Sequence, residues 1–488
     1  MIGLFKASKA GDGAARAPMV AGAFYPDNPE ELHHMISRLL ADAPPQPLDG
    51  PVYALVAPHA GYVYSAQIAA RSFALIRGHK YKRVVVIAPS HVEPFSFTSI
   101  YEGAAYATPL GSVPVDRDFA EKLARTDPSL KVSDVGHGSH QGRSEHALEV
   151  ELPFLQEVLG SFKLVPIVMG AGDYDASRAL GNALASLIER DPATQEPDTL
   201  IVASSDLSHF HSYGEASSID RKTLAAIGQN DYFSLSVNLE AGVWEACGGA
   251  PIMTAMIATE RMGAKGRKIL AYANSGDVTG DKTRVVGYGA AAFFRDEKEK
   301  EAPSMSFSLD EKEKAELLAI AKNSVDTAVR GKKTPPLPAG LSAVLQTPMG
   351  AFVTLTKNGE LRGCKGFVTP SQSLAEGVRD IAARTALEDT RFPPVEEGEL
   401  KDLSYEISVL SPFHRVTDLK EIEIGRDGLL IRKDFRQGLL LPQVATEYGF
   451  DAAEFVRQTE HKAGLPPGSW KDEDADLFAF SAFVFGEK

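Results

Sequence analysis

The sequence predicts two domains of different class, an α/β first half and a smaller α+β second half. Three observations carry this. Short apolar runs rich in β-branched residues, such as VVVIA at 84–88, recur through the first half and stop at proline or polar residues. Runs of that length are too short for core helices and read as strands buried on both faces, in a sheet covered by helices. From Arg295 the run RDEKEKEAPSMSFSLDEKEKAE is highly charged with a Pro-Ser break, and beyond it strands and helices mix without regular alternation.

In order, residues 1–15 lack an apolar core of signal-peptide length and read as a frayed leader. GAFYPDNPEELHHMISRLLADAPPQP reads as a turn, a helix over 29–40 and a Pro-rich loop, with Asn28 as N-cap and Pro29 at the first helical position. VYALVA at 52–57 is a strand ended by Pro58 and His59, and 65–77 has helical spacing. RVVVIAPSH is a second strand, with Ser90 and His91 beyond its Pro89. ALVAPHAG and VVIAPSHV are near copies, so two βα units each deliver a histidine from a strand end. In open α/β sheets the chemistry sits just past the carboxyl ends of the strands.

DVGHGSHQGRSEHALEVELPFLQEVLG begins as a loop rich in Gly, Ser and His. It is read as helical from Glu145, which would put His146 and Glu149 on one face. His137 and His140 are loop histidines in this reading, and His33 and His34 lie on a helix surface. A strand at 163–169, a helix over 176–190 and a third apolar strand at 199–203 follow. The third strand runs straight into SSDLSH and therefore into His209. Cys247 lies just upstream of a helix opened by Pro251, where the macrodipole and unpaired amides favour a thiolate. Strands at 268–272 and 285–294 close this half.

The linker is placed at 296–308. Beyond it the sequence predicts a helix over 309–329, strands near 342–346 and at 351–356, and the loop LRGCKG. A helix over 373–387, the strand SYEISVL, short strands in GLLIRK and GLLLPQ, two helices and a final strand, LFAFSAFVF, complete the chain.

A chain of 488 residues is too long for one ordinary core. Hydrophobic content of 44% and charged content of 24% are those of a globular protein. A net charge of -14 argues against a large nucleic-acid-binding face. No apolar run approaches the roughly 20 residues that span a bilayer. Two cysteines make no disulfide framework, so a reducing cytoplasm is the simplest reading.

His59, His91, His209 and Cys247 stand out in the first half. Imidazole and thiolate together are a zinc or transition-metal donor set. The separations are large and irregular, so no compact ligand motif is formed. The competing reading is that strand-end histidines cap loops and that Cys247 is a small core residue. The repetition of apolar strands ending at a histidine favours a site.

PHAGYVYS, PSH, SEHALEVELPF, SSDLSH and the Gly-Gly segment after Cys247 together resemble the Memo family, over residues 16–295. The resemblance implies the fold of class III extradiol dioxygenases, a mixed sheet covered by helices, and a non-haem Fe(II) site. Carried over by position, His59 and His91 would be metal ligands and Cys247 would replace a carboxylate ligand. His209 would match the acid/base histidine, and Asp206 and His146 would line or support the site. A thiolate is a softer donor, so copper and zinc stay open beside iron and ring cleavage does not follow automatically.

Cys364 lies in ELRGCKG, which with RFPPV and LSYEISVLSP resembles the AMMECR-type domain over residues 309–488. Lys365 stands where that pattern has Ile. Arg362 beside the thiol would lower its pKa or bind an anion; a tight turn around a buried cysteine is the alternative. The two resemblances match two of the three members of the AmmeMemoRadiSam set in one chain, which implies a radical SAM protein as partner. The implied function is a metal-dependent redox protein, oxygenase-like, acting on an unknown small molecule or peptide. The competing functions are a scaffold that keeps a dioxygenase-like cleft without catalysis, and a zinc hydrolase.

Overall fold

The computed structural model describes residues 15–44, 46–296, 309–434 and 436–487. The leader up to residue 14 and the linker from residue 297 lie outside the described residues. The chain divides into two compact units, 1–302 and 303–488.

In the first unit a sheet of nine strands carries the site. Its order is Asp206–His211, Val285–Phe294, Val52–Ala57, Thr199–Ser204, Arg83–Pro89, Lys163–Met169, Thr98–Ile100 and Leu130–Val132, with Gly266–Asn274 alongside Val285–Phe294. The four strands from Val52–Ala57 to Lys163–Met169 are mutually parallel, and antiparallel strands flank them on both sides. Every residue of Val52–Ala57, Arg83–Pro89 and Thr199–Ser204 is buried, which is why these runs carry no polar alternation. Val84, Val86 and Ala88 pack with Leu32 and Ile36 of the Pro29–Asp42 helix and with Ala66 and Phe73 of the Tyr62–Phe73 helix. The helices Tyr174–Leu187 and Gly249–Arg261 pack on each other, and the latter lies across the parallel strands. Asn28 caps the Pro29–Asp42 helix by accepting from the N–H groups of Glu30 and Glu31.

The register brings the strand ends level. Ser204 lies opposite Ala57, and Ala203 lies opposite Ile87. His59 and His91, each two residues past its strand, therefore flank the end of the strand between them. Gly248 closes this corner. A Cβ built there would lie 2.2 Å from the Ser204 carbonyl oxygen, so only glycine lets the Gly249–Arg261 helix begin this close to the sheet.

Three local expectations are corrected. The segment from Glu145 is not helical at once: a 3-10 turn spans Glu149–Glu151 and the α-helix Leu152–Leu159 follows. Glu145 turns its carboxylate onto the N–H groups of His146 and Ala147 instead, and Pro153 sits in the first turn of the later helix. The third apolar strand does not run on to His209. The chain breaks at Ser205, and Asp206–His211 forms a separate edge strand whose pairing with Val285–Phe294 is irregular on both sides of His209. Ala15 and Arg16, at the edge of the expected leader and domain, form a short strand beside Ala105–Thr108.

The second unit is built on an antiparallel sheet ordered Glu360–Phe367, Ala351–Lys357, Leu403–Leu410, Ala475–Gly486, Asp427–Lys433 and Arg436–Leu440. One core lies between this sheet and the helices Glu311–Val329 and Leu374–Glu388; a second involves Phe455 and Val456 of the Ala452–Lys462 helix. LRGCKG is strand rather than loop, because it pairs with Ala351–Lys357 on both sides of an irregularity at Arg362. Residues 342–346 form a turn rather than a strand, closed by the Gln346 N–H donating to the Ser342 carbonyl.

Candidate metal centre

His59 and Cys247 meet although 188 residues separate them. His59 is buried at the end of its strand. Its Nδ1 lies 2.8 Å from Ser204 Oγ, and its Nε2 faces Cys247 Sγ at 3.2 Å. The His59 N–H donates to Asp206 Oδ1 at 2.9 Å, which fixes the backbone that carries the ring. His91 is fixed in the same manner by Glu145. Its N–H donates to Glu145 Oε2 at 2.6 Å, and its Nδ1 lies 3.2 Å from Glu145 Oε1. Cys247 is set by the Asp206 main chain, whose N–H points at Sγ from 3.3 Å.

Donor atoms of His59, His91 and Cys247 all lie within 4.8 Å of one another, and the same holds for His91, Glu145 and His146. Each of the two imidazoles in the first group uses one nitrogen on a protein partner and keeps the other for the shared space. That is how metal-ligating histidines are oriented. Two imidazoles and a cysteine therefore fit a divalent ion by donor chemistry as well as by position.

The other expected residues surround this centre. His146 stacks on His91 with ring centroids 4.9 Å apart and meets His59 edge-on at 5.6 Å. Asp206 is buried beneath His59 and Cys247. His209 joins neither donor group. It lines a cleft of about 450 Å³ with Cys247, Pro89, Met169, Leu207 and Trp244. His209 Nδ1 lies 2.9 Å from the Leu207 carbonyl, which leaves Nε2 for the cleft.

Residues 16–292 match the family described as Memo-like protein, more than half of the chain. The chain belongs to the Memo-like family. Residues 318–485 match AMMECR1, so the two domains occur in one chain. A MEMO1 family protein of Methanopyrus kandleri is 36% identical over 289 residues, covering 57% of this chain and 99% of that protein. One of Methanobrevibacter smithii is 35% identical over the same length. A protein of Thermococcus onnurineus is 42% identical over 182 residues, which is 35% of this chain and 89% of that protein. The crystal structure of an uncharacterized protein from Pyrococcus horikoshii is 38% identical, covers 37% of this chain and 94% of its own, and has a TM-score of 0.33.

The electrostatics of the Memo domain differ from the sequence expectation at Cys247. Burial, reinforced by the nearby Asp206 carboxyl, pushes the thiol up rather than down. A helix N-terminus contributes roughly 0.3–1 kcal/mol, while desolvating an ion costs more, so burial wins. Burial also lowers the pKa of His59, with His91, His146 and His209 adding to the effect, and holds it neutral. Burial lowers His146 and His209 as well and raises Asp206 to about 7.

Four supporting groups of the Memo domain escape a sequence reading: Glu145, Ser204, Glu151 and Arg16. Arg16 is buried, donates to Glu149 Oε2 at 2.6 Å, and donates to the carbonyls of Glu145 and His137. Glu149 also accepts from the Val20 N–H and the Tyr25 hydroxyl, so it faces this anchor rather than sharing a helix face with His146. The one signal in the sequence is the density of acids in SEHALEVE, and it does not say which partner each acid takes. His137, expected as a loop histidine, is buried, with Nδ1 at 2.5 Å from the Tyr106 hydroxyl.

In the AMMECR1 domain Cys364 sits on the Glu360–Phe367 strand. Its N–H donates to Asp389 Oδ2 at 2.8 Å, and Arg391 donates to the same carboxylate and to the Cys364 carbonyl. Arg362 does not turn to the thiol. Its guanidinium forks onto Glu399 at 2.9 and 3.1 Å and donates to the Pro393 and Pro394 carbonyls, so it is no open anion site.

Proposed function

We propose that the Memo domain is a metal-dependent redox enzyme whose divalent ion is held by His59, His91 and Cys247. The observation that carries this is the convergence of three donors within 4.8 Å, each set by a dedicated hydrogen-bond partner. Fe(II) is the ion favoured by the extradiol-dioxygenase resemblance, and copper and zinc suit the same donors. When bound, the ion supplies Lewis acidity and electron exchange with substrate or dioxygen.

The chain's own residues do the rest. Glu145 and Ser204 orient the imidazoles, and Asp206 holds the main chain at His59 and Cys247. His209 Nε2, neutral and facing the cleft, accepts a proton from the substrate and returns it later. Leu207, Trp244 and Met169 exclude water from that transfer and favour a small substrate with an apolar portion. The AMMECR1 domain in the same chain supports a shared pathway, and a radical SAM protein is the partner that the three-member set implies.

The test is oxidation of iron in the full chain, loaded anaerobically and then exposed to dioxygen with electron paramagnetic resonance as readout. His209→Gln is expected to keep the metal and slow substrate turnover by about 10²-fold or more. If a chelated, metal-free chain binds its partner as well as the loaded chain does, and loaded iron is inert to dioxygen, the scaffold function replaces this one.

A further inference from the structure

Glu151 is a buried acid that the mechanism above does not use. It is fully buried; Oε1 meets Ser204 Oγ at 2.8 Å, and Oε2 is buried with no hydrogen-bond partner among the described residues. Ser204 Oγ is the same atom that meets His59 Nδ1 at 2.8 Å, and it also lies 2.7 Å from the Ala147 carbonyl oxygen.

A hydroxyl has one proton and two lone pairs. The Ala147 carbonyl can only accept, so the Ser204 proton goes there. Both remaining contacts must then donate to Ser204. His59 does so with Nδ1–H, and Glu151 does so only as a carboxylic acid, with its O–H on Oε1. The partnerless Oε2 is then a neutral carbonyl oxygen, which burial tolerates far better than half of a carboxylate. Burial raises Glu151 well above the usual carboxylate range, with Asp206 adding to the effect, which agrees with the hydrogen-bond count.

We propose that Glu151 is a positioning residue for the metal centre: its carboxyl O–H donates to Ser204 Oγ, which leaves the Ser204 proton on the Ala147 carbonyl and a lone pair for His59 Nδ1–H, so that the Nε2 lone pair faces Cys247. Were Glu151 ionised, the Ser204 proton would turn to it. The Ala147 carbonyl would lose its donor, and two acceptor oxygens would face each other. The functional consequence rests on the metal-dependent reading; the hydrogen-bond assignment does not.

The test uses the full chain, first without metal. In infrared difference spectra between wild type and Glu151→Gln near neutral pH, a carboxylic acid carbonyl stretch is expected from the wild type. Nitrogen chemical shifts of labelled histidines are expected to report His59 as the Nδ1–H tautomer in wild type and in Glu151→Gln, whose amide N–H replaces the donor. They should report a tautomer mixture in Ser204→Ala, and the Nδ1–H tautomer in Glu151→Leu, where the Ser204 proton still goes to the Ala147 carbonyl. Competition with a chelator for zinc should then give near wild-type affinity for Glu151→Gln and a loss of about 10-fold or more for Ser204→Ala. A carboxylate band in place of the acid band overturns the proposal, as does an Nδ1–H tautomer that survives unchanged in Ser204→Ala. If Glu151→Leu does not fold, the infrared comparison and Ser204→Ala decide. Failure of wild type to bind zinc or iron would count against the metal site and leave the infrared and tautomer results to judge Glu151 on their own.

Discussion

Glu145 holds His91 by two contacts at once, one to its backbone N–H and one to its ring, and is itself held by Arg16 through its carbonyl. Removing the side chain frees the imidazole to rotate away from the shared space. Glu145→Ala is expected to lower metal affinity about 10–100-fold, with Glu145→Gln milder because it keeps an acceptor. Chelator competition measures this, and wild-type affinity in Glu145→Ala would remove the residue from the site. At this scale the placement of His59, His91 and Cys247 at element ends is legible, because each follows or precedes an element whose end the sequence marks with proline or glycine, and their donor atoms lie within 4.8 Å of one another. Glu145 and Ser204 were not legible, because their pairings with His91 and His59 span 54 and 145 residues and leave no local pattern. The state of the thiol is not legible for a related reason. The helix N-terminus is visible in the sequence, whereas the burial that outweighs it comes from packing.

The elements position these residues through close approaches. The Gly249–Arg261 helix starts against the end of the Thr199–Ser204 strand, and Gly248 is the contact point. Gly248→Ala is expected to destabilise the Memo domain by about 1–3 kcal/mol and to displace Cys247. Thermal unfolding and bound-metal content check the two effects separately. Leu200, fully buried in the sheet core, is a control: Leu200→Ala should cost about 2–5 kcal/mol in chemical denaturation while leaving metal stoichiometry intact in the folded fraction.

In the AMMECR1 domain, Lys357 and Arg362 on neighbouring strands clamp Glu399 in the turn Glu397–Asp402. Arg362 first, then the Glu396 N–H and Lys357, hold the Glu399 pKa down at about 2. A depressed carboxyl contributes stability that is present above its ordinary range and lost as pH falls toward the folded value. Glu399→Gln should therefore flatten the loss of stability between about pH 4.5 and 2, followed by denaturant titration at several pH values; an unchanged slope would mean that the clamp contributes nothing. Strand and helix identities along the chain were largely legible from apolar runs and caps. LRGCKG reads as a loop because two glycines and a lysine mask a strand whose pairing partner decides its conformation. The Glu145 segment reads as helix because its leucine spacing runs into a helix that starts only at Leu152.

The whole molecule joins a Memo domain to an AMMECR1 domain. No described helix is long and apolar enough to cross a membrane. The division into two halves was legible from the change in alternation and from the charged run between them; the chemistry of the combined chain was not, because no sequence feature names a substrate. The central claim is that His59, His91 and Cys247 jointly hold one metal ion. Metal analysis of anaerobically purified wild type, His59→Ala, His91→Ala and Cys247→Ala tests it most directly. About one equivalent in wild type and strong loss in every variant is the predicted result; wild-type metal content in all three variants would contradict it.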